Sequence, residues 1–272
     1  MNTKQLRSPS FDSLIKRFDY PGVKAIVLMG SYACNSAGPF SDIDLIRFIS
    51  DEHFVPSAKD GSYLIDDFLV TVSSVNPKQI DEWFSRPEIA VNVISGIRNA
   101  RPLLDRFNTF KIVQNRAQDF KWNADMQQKA NHWASQQMVG WIEEVHKGLE
   151  GLRRKDIGRM LNSRFGCSWG LSRVMGVYKG VLLSGDNSFY DEINEAVGFD
   201  SEWTHLRRIA FGIEDKNGKA PTLQEQVFAG LQLYVVTSKL LNHILEPLDA
   251  ALVEQTVMLI ENEIREQERR DS

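Results

Sequence analysis

Asp42 and Asp44 flank an apolar Ile43, and Asp42 stands eleven positions after the serine of a Gly30-Ser31 pair. On a strand, side chains at i and i+2 share a face, so the two carboxylates would point the same way. Holding two negative charges together is costly unless something positive resolves the repulsion. A divalent cation does so, and Mg²⁺ takes a few carboxylate oxygens and completes its shell with phosphates and water. A glycine leaving a strand lets a phosphate approach the backbone, and Ser31 adds an N–H and a hydroxyl. A helix starting there would aim further N–H groups at the anion. An anion cradle beside a metal clamp suits phosphoryl or nucleotidyl transfer, where two metals stabilise the attacking and leaving oxygens. Asp-x-Asp alone is common, and Ser41-Asp42 alone also reads as turn residues entering a strand. The combination is more specific than its parts.

The elements that must position these residues follow from periodicity and punctuation. A strand is expected over 23–29, bounded by Pro21, Gly22 and Gly30, after a helix whose Phe11, Leu14, Ile15 and Phe18 recur at helical spacing behind Pro9-Ser10. The second strand runs over 42–49, and the link 31–41, with Asn35, Gly38 and Pro39, reads as a short helical turn and a loop. The β-rich stretch 63–74 is interrupted by Asp66 and Asp67. It fits a hairpin, 62–65 and 68–74, turning at the aspartates, or one bent strand carrying an acid inward. Short helices follow over 78–84 and 88–97, behind Pro77 and Pro87, and a last strand over 100–104 ends at Asp105.

Beyond Phe110 helical patterning takes over, with candidates at 124–149, 156–183, 188–197, 202–211, 223–245 and, after Pro247, 250–268. The expected organisation is therefore two-domain α+β: a mixed-sheet domain over 1–115 and a helical bundle over 116–272. The Glu/Arg-rich end, 261–271, reads as a solvated helix tail.

Composition narrows the class. With 272 residues, 42% of them hydrophobic, the chain can fill one large domain or two ordinary ones. Lys plus Arg is 32 against 36 for Asp plus Glu, a formal net charge of −4, so no basic footprint marks a nucleic-acid binder. Cys34 and Cys167 cannot build a disulfide framework, and His132, His146, His205 and His243 form no His-x-x-x-His pair for zinc. Residues 1–10 carry no apolar targeting core, and no apolar run nears the roughly 18 residues of a membrane span. The chain reads as soluble and cytoplasmic.

Gly30-Ser31-Tyr32-Ala33 with Ser41-Asp42-Ile43-Asp44-Leu45 resembles the signature of the DNA-polymerase-β-like nucleotidyltransferase superfamily. Within it, the chain looks most like the bacterial aminoglycoside and lincosamide nucleotidyltransferases. The resemblance implies an amino-terminal mixed sheet, a carboxy-terminal helical domain that binds the acceptor, and Mg²⁺ with ATP as co-substrate. Carried onto this sequence, Gly30, Ser31 and Ser41 would serve the nucleotide, and Asp42 and Asp44 would bind the metal. Such enzymes commonly take a third carboxylate from a neighbouring strand. Asp66 and Asp67 are the nearest candidates, whereas the strand 68–74 carries Thr71 and Ser73 instead of an acid. A missing third acid points towards a slow or degenerate homologue.

In the helical half, Glu143 and Glu144 lie beside Trp141 and near His146. The resemblance allows Glu144 as a base for the acceptor hydroxyl, and ordinary solvated glutamates fit the same pattern. Lys179, Arg173 and the run Arg153-Arg154-Lys155 are phosphate-binding candidates that read equally as solvated helix ends. Trp133 and Trp141, eight apart, are expected on one helical face, for core packing or for stacking on a base or antibiotic. The expected activity is transfer of AMP from ATP to a hydroxyl of a small molecule, an aminoglycoside or lincosamide, with release of pyrophosphate. The alternatives are a protein or unfamiliar metabolite as acceptor, or a nucleotide-binding homologue that has lost catalysis.

Overall fold

The computed structural model describes residues 10–50 and 60–271; the stretch read for targeting signals lies outside the described residues except for Ser10. Two compact units emerge. One holds the described residues up to Lys121 together with Leu182–Asn187, and the other holds Trp122–Val181 and the described residues from Ser188. The fold is mixed α+β, a five-stranded sheet followed in sequence by a mostly helical region. No described helix is long and apolar enough to cross a membrane.

The first unit opens with helix α1 (Phe11–Phe18), capped by the Ser10 hydroxyl, which accepts from the Ser13 N–H at 3.4 Å. Strands β1 (Val23–Leu28) and β2 (Ile43–Ile49) are separated by the single helical turn α2 (Gly30–Ala33). Strands β3 (Gly61–Ile65) and β4 (Phe68–Val75) pair antiparallel, with Ile65 opposite Phe68. Asp66 and Asp67 form the two-residue tip with φ of 50° and 69°, so the hairpin reading holds and the bent strand does not. Asp tolerates positive φ at successive positions of such a turn.

Helices α3 (Pro77–Ser85) and α4 (Pro87–Asn99) lead to strand β5 (Arg101–Asp105) and helix α5 (Thr109–Asp119). The sheet order is β3-β4-β2-β1-β5, with β2 and β4 parallel and the other pairs antiparallel. From Ala25 to Leu28 every residue of β1 is fully buried, because it lies inside the sheet between β2 and β5 and is covered on both faces. Leu14 and Phe18 of α1 pack with Ile26, Leu28, Ile43, Leu45, Val70 and Val72. Phe48 meets Trp83 and Phe110 edge-on, at 6.0 and 5.5 Å between ring centroids.

The α5 helix was not among the expected elements, and it spans the 115/116 division. Its N-terminus is capped by the Asp105 carboxylate, which accepts from the N–H groups of Phe110 (2.9 Å) and Lys111 (3.1 Å). Its last carbonyls, Ala117 and Phe120, accept from the Arg98 guanidinium at 2.8 and 2.9 Å. Caps drawn from outside the helix give no periodic signal within it.

The second unit comprises α6 (Ala124–Gly140), α7 (Ile142–Arg154), α8 (Ile157–Phe165), α9 (Leu171–Tyr178), α10 (Phe189–Val197), α11 (Glu202–Ala210), α12 (Leu223–Leu241) and α13 (Pro247–Asp271). The single helix expected over 124–149 is divided at Trp141 into α6 and α7, while the Trp141 N–H still donates to the Gln137 carbonyl at 3.1 Å and so closes the last turn of the helix that carries Trp133. The helix expected over 156–183 carries a π-helical turn at Gly166–Gly170 and ends at Tyr178. There the Trp141 indole lies so close that a Cβ on Gly170 would stand 2.3 Å from its Cε2. Tight approach between helices sets both irregularities, which the 3.6-residue period alone does not report. The α12 helix is the core of this unit, started by a reciprocal Thr222–Glu225 capping box and buried at Val227, Leu231, Leu233, Tyr234 and Leu241.

Candidate active site

Glycine ends β1, and the next strand returns against it. The Met29 N–H donates to the Asp44 carbonyl at 2.9 Å, and the Leu28–Leu45 pairing fixes the register beside it. Gly30 adopts φ +61°, and a Cβ there would stand 2.7 Å from Asp44 Oδ2. The Asp44 carboxylate therefore lies directly over a bare stretch of backbone, which only glycine supplies. Asp42 stands just before β2. Ser41 secures the preceding loop, its hydroxyl accepting the Gly38 N–H at 2.9 Å while its own N–H reaches the Gly38 carbonyl at 3.1 Å. Ser31 accepts from Ser36 through its carbonyl, closing the turn after α2.

The electrostatics match this crowding. The Asp44 carboxyl is pushed above the ordinary aspartate range, first by burial, then by the charge of Asp42, then by that of Asp186. Carboxylates held together in this way are hard oxygen donors in need of a cation. Asp42, Asp44 and the open backbone at Gly30 thus fit a hard divalent ion next to an anion. No cluster of three or more His, Cys, Asp or Glu placed to hold a metal occurs among the described residues.

The neighbouring strand does not supply a further acid. In the parallel β2–β4 register Asp44 stands opposite Thr71, whose hydroxyl lies 3.4 Å from that of Ser62. Asp66 and Asp67 sit at the hairpin tip, preceding Phe68. One charge that acts on Asp44 was not expected from the sequence, that of Asp186, more than 140 positions away. It arrives with the returning segment Leu182–Asn187, and no local motif announces it.

The other candidates lie in the second unit. The Oε1 of Glu144 accepts from Lys147 at 2.8 Å, and its Oε2 is buried without a hydrogen-bond partner among the described residues. Glu143 pairs with the same ammonium at 2.9 Å, which holds its carboxyl below the usual range. Lys179 caps α9, with its ammonium 5.7 Å from the Tyr178 ring centroid. Arg153 is engaged by Glu263 at 2.6 Å, and Arg173 lies 5.9 Å from the Trp133 ring centroid.

Gly30→Ala is expected to lower kcat/KM by roughly a hundredfold, because a displaced reacting group of about 1 Å costs that much. The same variant should unfold only about 1–2 kcal/mol more easily, the cost of one non-glycine residue in left-handed backbone. Steady-state kinetics and a urea titration separate the two. Equal kcat/KM for variant and wild type would show that Asp44 does not need the bare backbone.

Residues 12–103, from α1 into β5, match the family model of the nucleotidyltransferase domain. Among solved structures, a nucleotidyltransferase-like protein from Exiguobacterium sibiricum 255-15 is similar at a TM-score of 0.46 and 13% identity, over 95% of this chain and 78% of that one. No curated protein matches the sequence.

Proposed function

We propose that this chain, whose residues 12–103 match the nucleotidyltransferase-domain family, transfers AMP from ATP to a hydroxyl of a small molecule and releases pyrophosphate. The observation that carries this reading is the Asp44 carboxylate laid over the Gly30 backbone with Asp42 beside it. Mg²⁺ at this pair supplies charge neutralisation for the triphosphate and lowers the pKa of the acceptor hydroxyl. Asp42 and Asp44 hold the ion, and Gly30 and Ser31 offer backbone and hydroxyl donors to the phosphates, with Ser41 fixing the loop that delivers Asp42. Because donors and carboxylates are preset by strand pairing, they need little reorganisation as charge moves from the α-phosphate to the leaving pyrophosphate.

The helical region 116–272 is the proposed acceptor-binding domain. Glu144 is its candidate for receiving the hydroxyl proton or an acceptor ammonium, and Lys179 is its candidate for a phosphate. An acidic protein suits a cationic sugar antibiotic such as an aminoglycoside, with a lincosamide as the related choice. Asp66 and Asp67, at the β3–β4 tip, are the alternative candidates for a further catalytic carboxylate. A second reading, a homologue that binds nucleotide and no longer transfers it, draws on Thr71 standing where an acid would face Asp44.

The test is pyrophosphate release with Mg²⁺ from each of the four nucleoside triphosphates, over a panel of aminoglycosides and lincosamides. An Asp42→Asn, Asp44→Asn double variant is the control. Acceptor-dependent release from ATP that vanishes in the variant supports the transfer reaction. Metal-dependent nucleotide binding without release for any acceptor supports the second reading, and no nucleotide binding at all sinks both.

A further inference from the structure

Where α11 turns into α12, the second unit holds an open cavity of about 610 Å³ that shares no residue with the candidate active site. That volume falls within the roughly 300–1,000 Å³ of small-molecule sites. Its deeper wall is apolar: Ala229 is buried, and Ile209, Ile213 and Phe228 are partly buried. The chain's own turn holds this wall in place. Gly212, at φ +79°, closes the end of α11 with its N–H on the Ile209 carbonyl at 2.9 Å. The Gln226 amide donates to the Pro221 carbonyl at 2.7 Å. Between these points the Asp215 carboxylate accepts from the N–H groups of Asn217 (2.8 Å) and Lys219 (2.9 Å), so the connecting segment is tied to itself.

The rim is charged, and its two signs are not equally free. Asp215 is occupied by those two N–H groups. Glu225 accepts the Thr222 N–H at 2.6 Å, and the Lys219 ammonium lies 3.8 Å from its other oxygen. Arg208 and Lys216, both exposed and both lining the cavity, have no carboxylate partner among the described residues. The Arg208 guanidinium donates to the Glu214 carbonyl, which uses part of its fork of donors and leaves the rest. We propose that this cavity binds a small amphipathic anion, an aromatic or aliphatic body carrying one carboxylate. The body lies against Phe228 and Ile209, and the carboxylate meets Arg208 and Lys216. An apolar wall with a few convergent polar groups at one end is the arrangement that orients such a ligand, and a charge-assisted bond to guanidinium is among the stronger polar contacts. The inference goes beyond nucleotidyl transfer, since none of these residues serves that reading.

The experiment is a ligand-observed NMR titration of the full chain at neutral pH with 4-phenylbutanoate, its neutral amide and the corresponding amine. The acid is expected to bind with a Kd on the order of 100 μM, within reach of a ligand of this size. The amide should bind about tenfold more weakly, the effect of one charge-assisted hydrogen bond, and the amine more weakly still. An Arg208→Gln, Lys216→Gln double variant should bind acid and amide alike while keeping the wild-type affinity for the amide, which also shows that the cavity survives the substitutions. Gln232→Trp, at an exposed lining position, should weaken both compounds at least about tenfold by filling the space. Equal affinity of wild type for acid and amide, or a preference for the acid that persists in the double variant, overturns the anionic ligand. Binding indifferent to Gln232→Trp in a variant that melts like wild type, or no binding of any of the three compounds at millimolar concentration, overturns the cavity as the site.

Discussion

Asp44→Asn is expected to reduce acceptor-dependent pyrophosphate release by at least about a thousandfold while leaving the fold intact. The loss is that large because, in the proposed reaction, the substitution would remove both a ligand to the ion and the charge that keeps the ion against the triphosphate, and such preorganised charge is usually the largest single contribution to catalysis. The same variant should be more stable than wild type without metal. Burial, Asp42 and Asp186 raise the Asp44 pKa in the folded protein. Between the unfolded aspartate value and that raised one, the folded state binds more protons than the unfolded state, so wild-type stability falls as pH rises through the interval. Neutral asparagine escapes this loss.

At pH 7 the variant should therefore melt higher than metal-free wild type, with the gap closing towards pH 4. Mg²⁺ at ten times its Kd adds about 1.4 kcal/mol to wild type by mass action and should add nothing to the variant. Melting curves across pH, with and without Mg²⁺, check all of this. A variant that is less stable than wild type at pH 7 would mean that Asp44 is held by a favourable partner.

Arg207→Ala is expected to destabilise the second unit by about 3–5 kcal/mol, the combined effect of a large cavity and several stranded acceptors. Arg207 is fully buried in α11, with Phe189, Tyr190, Trp203 and Phe211 around its guanidinium at 4.6–5.6 Å between its Cζ and the ring centroids. It donates to Ser172 Oγ (2.7 Å), the Tyr190 carbonyl (2.7 Å) and Asn194 Oδ1 (2.5 Å), binding α9 and α10 to α11. Burial lowers its pKa to about 10. The unfolded state thus holds its proton more tightly, and the charge is a cost to stability that is relieved only as pH climbs past about 10. Methionine, which fills much of the space and carries no charge, should lose less than alanine. Urea titrations of the two variants give the comparison, and equal losses would mean that the stranded acceptors, rather than the cavity, set the effect.

Local chemistry was legible wherever the determinants lie close in sequence. Gly30-Ser31 and Asp42-Ile43-Asp44 are fifteen residues of chain in which strand alternation and a terminal glycine dictate the arrangement, and β pairing only had to bring the two ends together. The same holds for α1, for the proline-led α3 and α4, and for the β3–β4 hairpin, where Asp66-Asp67 already allowed a two-residue turn. Helix α5 was illegible because its caps, Asp105 and Arg98, lie outside it. The break at Trp141 and the π turn at Gly166–Gly170 were hidden for a related reason: they answer to a neighbouring helix, whose position no local period contains.

The amino-acid sequence by itself determined the order of the fold, a sheet first and helices after, and set two carboxylates close together where β2 begins, behind a glycine at the end of β1. Tertiary structure alone decided which acids act together. Thr71 stands opposite Asp44 because a parallel register sets it there, and the charge of Asp186 reaches Asp44 from a segment that returns to the first unit at Leu182–Asn187. Neither fact can be read locally, since charges act through space over several ångströms, while residues 142 positions apart in sequence have their separation set only by the folded chain.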